Sequence, residues 1–366
     1  MNDARFMDAA LALGRRNLGL TAPNPSVGAL ILRGDVVVGA GVTASGGRPH
    51  AETLALAEAG DHARGATAYV TLEPCSHHGV TPPCAEALVA AGVARVVCAL
   101  EDPDARVAGR GFALLRAAGV EVILGIGAEA ARRDHLGHIR RVAVGRPMVT
   151  LKIARTADGF AAGDEHDPRL AITGEIANRR TQTYRALHDA IMVGSGTAIG
   201  DDPLLTVRQA GLEQRPLRVV LDSGLHLPLD SRLCATAQAY PTLAIAAARA
   251  PAEREADLLT RGVEVVRVGA GADGRLDLRA ALAELARRGV TRVFSEGGPT
   301  VGSALIRAGL ADEVLLLSAE KPLGRPGRAA LEADALAALA DSERYVEGRG
   351  ESFGPDALRR WLRRVG

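Results

Sequence analysis

TLEPCSHHGVTPPC, residues 71–84, holds two cysteines, Cys75 and Cys84, and two adjacent histidines, His77 and His78. Four soft or borderline ligands so close together look like a zinc site. The apolar run ATAYVTL that ends in this stretch reads as a strand. Pro82 and Pro83 stand directly before CAEALVAAG, so Cys84 is expected to open a helix. A thiolate at a helix N-terminus is favoured by the dipole, which readies it for a metal. A strand leading into a helix is the unit from which α/β folds are built.

The same grammar extends in both directions. VGALILR and DVVVGAGV read as strands, AETLALAEAG after His50 as a helix, ARVVCAL and VEVILG as strands with the helix GRGFALLRAAG between them. EAARRDHLGHIRRVAVGRPM is polar and basic and meets Gly145-Arg146-Pro147, where a domain boundary is expected, giving domains 1–145 and 146–366. Beyond it MVTLKIA, HDAIMVGSG, PLRVVLD, PTLAIAAA, VEVVRVG, TRVFSEGG and DEVLLLS are strand candidates. AALAELARRG and TVGSALIRAG are helix candidates. The charged stretch from about residue 340 is expected to be loosely held.

The bulk numbers suit two α/β domains. The chain has 366 residues, 47% hydrophobic and only 3% aromatic, so its cores rest on Ala, Val and Leu. Net charge is +1, which offers no basic field for a nucleic-acid backbone. Four cysteines in this length are no disulfide framework. The N-terminus reads as an amphipathic helix rather than a signal peptide, and no apolar run reaches a membrane span. The cytosol is the expected compartment, with neither nucleic acid nor membrane as partner.

The candidate zinc ligands extend beyond the opening stretch. PHAE, residues 49–52, places His50 and Glu52 as His-x-Glu before a helical run. With the later Pro-Cys and second Cys this matches the zinc deaminase signature, in which one His and two Cys bind zinc and the Glu shuttles protons. Each residue alone is more often a cap or a core side chain; the joint pattern selects His50, Cys75 and Cys84 as ligands and Glu52 as the catalytic carboxylate. His77 and His78 read as loop residues lining the site. Zinc lowers the pKa of a bound water, and a carboxylate beside it can move the proton to the ring and to departing ammonia.

Eight residues separate Cys75 from Cys84, where nucleoside and nucleic-acid deaminases have two. That gap, with PNPSVG at 23–28, HAE at 50–52, EDPDARVAGRG at 101–111, HDAIMVGSGTAIGDDPLLTVR at 188–208, and SEGGPT at 295–300, resembles the bifunctional riboflavin-biosynthesis deaminase/reductase family. The resemblance runs to about residue 325. It implies a cytidine-deaminase-like three-layer α/β domain followed by a dihydrofolate-reductase-like α/β domain. It also implies two steps on a small phosphorylated pyrimidine. The first is zinc-dependent deamination of 2,5-diamino-6-ribosylamino-4(3H)-pyrimidinone 5′-phosphate; the second is NADPH reduction of the ribosyl group to ribityl. A homo-oligomer is expected.

Carried onto this chain, the resemblance implies deaminase-substrate contacts at Asn24, Asp102 and Asp104. It puts the reductase substrate against Lys152, Arg185, Leu205, Arg208 and Glu296. It puts the cofactor against Ala154, Thr197, Asp201, Ser223 and the run Gly298, Pro299, Thr300, Val301, Gly302, Ser303 and Ala304. Independently, EGGPT leads from a strand into a helix whose free N–H groups suit a phosphate, and arginine forks suit the ribose phosphate. Thr43, Val80, Asp104, Arg169 and Ala171 depart from the residues common in the family. The Arg169 and Ala171 departures motivate the alternative of a deaminase with an inactive or altered reductase domain. A non-catalytic protein with structural zinc would instead need a fourth protein ligand.

Overall fold

The computed structural model describes residues 2–78, 82–164, 167, 170–211, 214–271 and 274–364. Val80 and Arg169 therefore lie outside the described residues. The chain divides into two compact units, Met1–Pro147 and Met148–Gly366.

The first unit runs α1 (Asp3–Arg15), β1 (Gly28–Arg33), β2 (Val36–Val42), α2 (Ala51–Ala59), β3 (Thr67–Val70), α3 (Cys84–Ala90), β4 (Arg95–Cys98), α4 (Arg110–Ala117), β5 (Glu121–Leu124), α5 (Ala128–Asp134) and α6 (Leu136–Val144). Its sheet has the order β2-β1-β3-β4-β5, with β3, β4 and β5 parallel. Strand residues alternate between two cores, as a period of two demands. Ala29, Ile31, Ala68, Val70 and Val96 meet α2, α3 and α4 through Ala55, Ala85 and Leu115. Leu30, Leu32, Tyr69 and Val97 meet α1 and α5 through Met7, Leu11 and Ala131. This is a three-layer α/β/α domain. The polar, basic boundary segment forms α5 and α6, and His135, His138 and Arg140 within it are buried.

The second unit runs β6 (Met148–Arg155), β7 (Phe160–Ala162), α7 (Glu175–Ala186), β8 (Ala190–Gly194), α8 (Ser195–Asp201), β9 (Leu217–Leu221), α9 (Arg232–Ala235), β10 (Thr242–Ala247), α10 (Ala252–Thr260), β11 (Glu264–Val268), α11 (Leu278–Arg287), β12 (Arg292–Ser295), α12 (Gly298–Arg307), β13 (Glu313–Ser318), β14 (Arg328–Ala329), α13 (Ala333–Ala340), β15 (Tyr345–Glu347), β16 (Glu351–Phe353) and β17 (Asp356–Arg363). The main sheet has the order β11-β10-β9-β8-β12-β6-β13-β17-β15, with β16 on β17. The strands from β11 to β13 are parallel. β12 sits between β8 and β6, so the strand order reverses there, the position at which open α/β sheets bind ligands.

The chain after residue 340 is not loose. β17 pairs antiparallel with β13 along Glu313–Ser318, and Leu358 and Trp361 are buried. Its charges sit at intervening positions, where Arg359 pairs with Glu347 and Arg360 with Glu313. Local charge density hides a strand whose apolar residues are few but well placed.

Candidate functional site

Ala29 of β1 pairs antiparallel with Val70 of β3, and Cys98 of β4 lies parallel beside Val70. The start of β1 and the ends of β3 and β4 thus share one edge of the first sheet. Asn24 precedes β1, Cys75 follows β3, and Asp102 and Asp104 follow β4. Connectivity alone gathers them at that edge. His50 caps the start of α2 and Cys84 opens α3.

His50 Nδ1 lies 3.6 Å from Cys75 Sγ and 3.4 Å from Cys84 Sγ. The three potential ligand atoms fall within 4.8 Å of one another. The Cys84 backbone N–H donates to Cys75 Sγ at 3.3 Å, an early turn of helix holding a thiolate. One imidazole and two thiols, His50 and Cys84 at helix starts and Cys75 in the segment after β3, are a donor set that fits zinc, with a coordination position left for solvent or substrate. His78 instead lies 3.4 Å from Glu86, and its side chain is 73% exposed.

The three side chains shift one another's ionisation in opposite directions. The Cys84 thiol and its backbone N–H, with His50, draw the Cys75 thiol down to about 4. Cys75 and burial push Cys84 up. Cys75 in turn raises His50. Glu52 sits in the first turn of α2, 3% exposed. Burial, then the charge of Cys75, pushes its carboxyl up to about 7, within the range a proton shuttle needs.

Three further residues that no sequence motif marks, Glu73, His135 and His138, organise this edge. Glu73, 4% exposed, accepts from the backbone N–H groups of Asp102, Gly109, Gly111 and Phe112. It ties the segment leading to Cys75 to the loop after β4 and to the start of α4. The approach is close: a Cβ on Gly111 would lie 2.2 Å from the Pro74 carbonyl oxygen. His138 of α6 places Nε2 at 2.9 Å from Asp102 Oδ1, and His135 places Nε2 at 3.1 Å from Thr71 Oγ1. The signal was a pair of histidines three apart in a helical run, masked by the arginines around them.

The expected substrate contacts are already engaged. Asn24 Nδ2 donates to the Gly47 carbonyl at 2.8 Å. Asp102 Oδ1 also accepts from the Asp104 N–H, and Asp104 is occupied with Arg106. Thr43 is buried and its Oγ1 accepts from the Val27 N–H.

The second unit holds a cavity of about 1380 Å³ at the sheet's reversal point. Lys152, Ala154, Arg185, Thr197, Asp201, Leu205, Ser223, Glu296, Gly298, Pro299, Thr300, Val301 and Ala304 line it, as does Ala171. Gly302 and Ser303 do not. A Cβ on Gly302 would lie 2.7 Å from Ile153 Cδ1, and the buried Ser303 Oγ accepts from the Glu332 N–H. A helix shows a cavity only one face, so a contiguous run cannot all contact it. Arg208 is also outside the lining, although its charge acts on Glu296.

Arg185 Nε donates to Glu296 Oε1 at 2.6 Å, and Arg185 Nη1 to the Thr206 carbonyl at 3.0 Å. Burial pulls the Glu296 carboxyl up, but Arg185, Lys152 and Arg208 outweigh it, and the net direction is down. Gly298 has φ 72°, and a Cβ there would lie 2.7 Å from Thr197 Oγ1. This glycine cradle at the start of a ten-residue helix, in a cavity larger than one small ligand needs, fits a dinucleotide.

Residues 147–346 match the family model of the RibD C-terminal domain, and residues 1–100 that of the cytidine and deoxycytidylate deaminase zinc-binding region. The chain is 38% identical to the riboflavin biosynthesis protein RibD of Escherichia coli strain K12, over 97% of this chain and 98% of that protein. It superposes on Acinetobacter baumannii RibD with a TM-score of 0.86 at 35% identity, covering 99% of each chain. A Thermotoga maritima structure described as a diaminohydroxyphosphoribosylaminopyrimidine deaminase/5-amino-6-(5-phosphoribosylamino)uracil reductase gives 0.84 at 28% identity, covering 99% of this chain and 98% of that one.

Proposed function

The chain belongs to the RibD family of riboflavin-biosynthesis proteins, and from that premise we propose how its two units divide the work. The protein is a bifunctional enzyme, a zinc-dependent deaminase and an NADPH-dependent reductase. The first unit, 1–145 in the sequence reading, deaminates the diaminopyrimidine phosphate. The second, 146–366, reduces the ribosyl side chain of the resulting uracil. The observation that carries the reading is the His50, Cys75 and Cys84 cluster beside the buried Glu52.

His50 Nδ1 and the two sulfurs would hold zinc, which supplies Lewis-acid activation of water when bound. Glu52 is the proton carrier: its buried carboxylate takes one proton from the attacking water and passes it to the ring nitrogen, then takes the second from the hydroxyl left on the ring carbon and passes it to the amine, which leaves as ammonia. Asn24 and Asp102 orient the pyrimidine at the sheet edge. In the second unit the N–H groups at the start of α12 receive the cofactor's phosphates, with Thr197, Asp201 and Ser223 along the same wall. Lys152 and Arg185, with Glu296 holding the Arg185 fork, orient the ribosyl phosphate for hydride transfer.

No helix among the described residues is long and apolar enough to cross a membrane. A cytosolic homo-oligomer belongs to the same proposal, and sedimentation of the purified protein checks the assembly. The enzyme should release one ammonia and form one NADP⁺ per diaminopyrimidine consumed. Glu52→Gln should stop ammonia release while NADPH oxidation on the deaminated intermediate continues. Wild-type deamination by Glu52→Gln would refute the assignment of Glu52.

A further inference from the structure

Arg106 stands in the loop after β4, held by one edge of its guanidinium. Its Nε donates to Asp104 Oδ1 at 2.9 Å and Oδ2 at 3.1 Å, and its Nη2 also donates to Oδ2. The Arg106 backbone N–H donates to Asp104 Oδ1 at 2.9 Å. Asp104 is fixed in turn, because its N–H donates to Asp102 Oδ1 at 2.9 Å. From the other side, Ser76 Oγ donates to the Arg106 carbonyl at 3.2 Å, and Ser76 directly follows the zinc-ligand candidate Cys75. Ser76 thus ties the loop to the segment carrying Cys75, and the Asp102–Asp104 bond braces the loop from within.

The Arg106 side chain nonetheless stays 68% exposed. A guanidinium offers five N–H donors in a planar fork. Asp104 engages Nε and one hydrogen of Nη2, so Nη1 and the outer side of Nη2 have no partner among the described residues. That outer edge has the spacing that meets two oxygens of a phosphate at once. The His78 imidazole, three residues after Cys75, faces Glu86.

We propose that Arg106, braced by Asp104, receives the 5′-phosphate of the deaminase substrate. This deepens the deaminase reading and rests on it. The reacting ring must reach the zinc ligands, while the strongly hydrated phosphate stays toward solvent, and the exposed Arg106 fork is carried on a loop bonded to Ser76, the residue after Cys75. Asp104 is then a positioning residue that aims the guanidinium and does not itself touch the substrate. The Arg106 fork holds the Asp104 carboxyl down to about 2, so the brace stays charged at any pH well above that value.

The test compares deamination of the phosphorylated substrate with that of its dephosphorylated form, using zinc-loaded full-length protein. Arg106→Ala should reduce the ratio of the two kcat/KM values by about tenfold, through KM. Arg106→Lys, which keeps the charge but loses the fork, should recover only part. Asp104→Ala should reduce the ratio less than Arg106→Ala does, and the double variant should be no worse than Arg106→Ala alone. Inorganic phosphate should compete with substrate in the wild type and lose potency in Arg106→Ala. An unchanged ratio in Arg106→Ala at normal zinc content overturns the proposal. A wild type that deaminates neither compound instead overturns the deaminase reading beneath it.

Discussion

His138 Nε2 lies 2.9 Å from Asp102 Oδ1, and both side chains are 9% exposed. The residues come from different parts of the first unit, α6 and the loop after β4. His138 thus fixes one oxygen of Asp102, which also takes the Asp104 N–H, and leaves the second for a substrate donor. His138→Ala should raise the deaminase KM more than it lowers kcat. His138→Gln, whose amide can present an N–H near the same place, should restore part of the loss. Steady-state kinetics of both variants decide it; equal effects of Ala and Gln on kcat alone would argue for a purely structural histidine.

Glu73 offers a stability test at the same edge. Its carboxylate accepts from four backbone N–H groups of the loop after β4 and the start of α4. Glu73→Ala leaves those donors in a site too enclosed for free hydration. The expected loss is about 3 kcal/mol or more, with Glu73→Gln milder because it keeps one acceptor oxygen. Denaturant titration of the zinc-loaded protein measures it. Zinc affinity should fall with stability in Glu73→Ala, since the same carboxylate positions the segment carrying Cys75.

Zinc removal should separate the two activities. A chelator that strips the metal should abolish ammonia release and leave NADPH oxidation on the deaminated intermediate, because the cavity lining lies wholly within the second unit. His50→Ala should bind far less than one zinc per chain by elemental analysis. Cys98→Ala should bind zinc normally, since Cys98 lies buried in β4, outside the ligand cluster.

The His50, Cys75 and Cys84 grouping is legible in the chain because metal chemistry restricts residue type, and His-x-Glu and Pro-Cys are short local patterns. The alternation of strands and helices is legible for the same reason, since buried strands such as TLAIAA and EVLLLS carry their burial in composition. His135 and His138 are not legible. Their partners Thr71 and Asp102 lie far away in sequence, and histidines among Arg133, Arg140 and Arg141 read as a solvated face. Glu73 is hidden differently: its partners are backbone N–H groups, which no side-chain pattern announces. Gly302 and Ser303 show the limit of carrying over a contiguous run, because helical periodicity turns them toward Ile153 and Glu332. Leu358 and Trp361 are too few among charges to signal the strand they anchor.

The second unit carries a built-in sensitivity to acid. His188 is buried, with Nδ1 2.6 Å from the Tyr184 carbonyl and Nε2 3.0 Å from Thr150 Oγ1. Burial, then the charge of Arg292, pushes its imidazole down to about 3. In the unfolded chain the same ring takes a proton near pH ~6.5. Its contribution is therefore complete above that pH and is lost as pH falls toward the folded value, at up to ~1.4 kcal/mol per pH unit. His188→Gln should flatten the stability profile between about pH 7 and about pH 5, where the unfolded ring takes up its proton. Parallel melting curves for wild type and variant across that range would contradict this.

Gly298 tests the cofactor side. Its φ of 72° lies in the left-handed region, and its open Cα faces Thr197 Oγ1 at the start of α12. Gly298→Ala adds a methyl 2.7 Å from that oxygen and strains the backbone that presents the helix N–H groups. The KM for NADPH should rise about tenfold or more, the equivalent of roughly 1.4 kcal/mol of lost cofactor binding. Deamination should be untouched, because Gly298 belongs to the other unit. Gly302→Ala makes the contrasting control. Its new methyl would press on Ile153, a core residue that also borders the cavity, so it should lower melting temperature and raise the KM for NADPH less than Gly298→Ala does. Equal NADPH titrations for wild type and Gly298→Ala would place the phosphates elsewhere in the cavity.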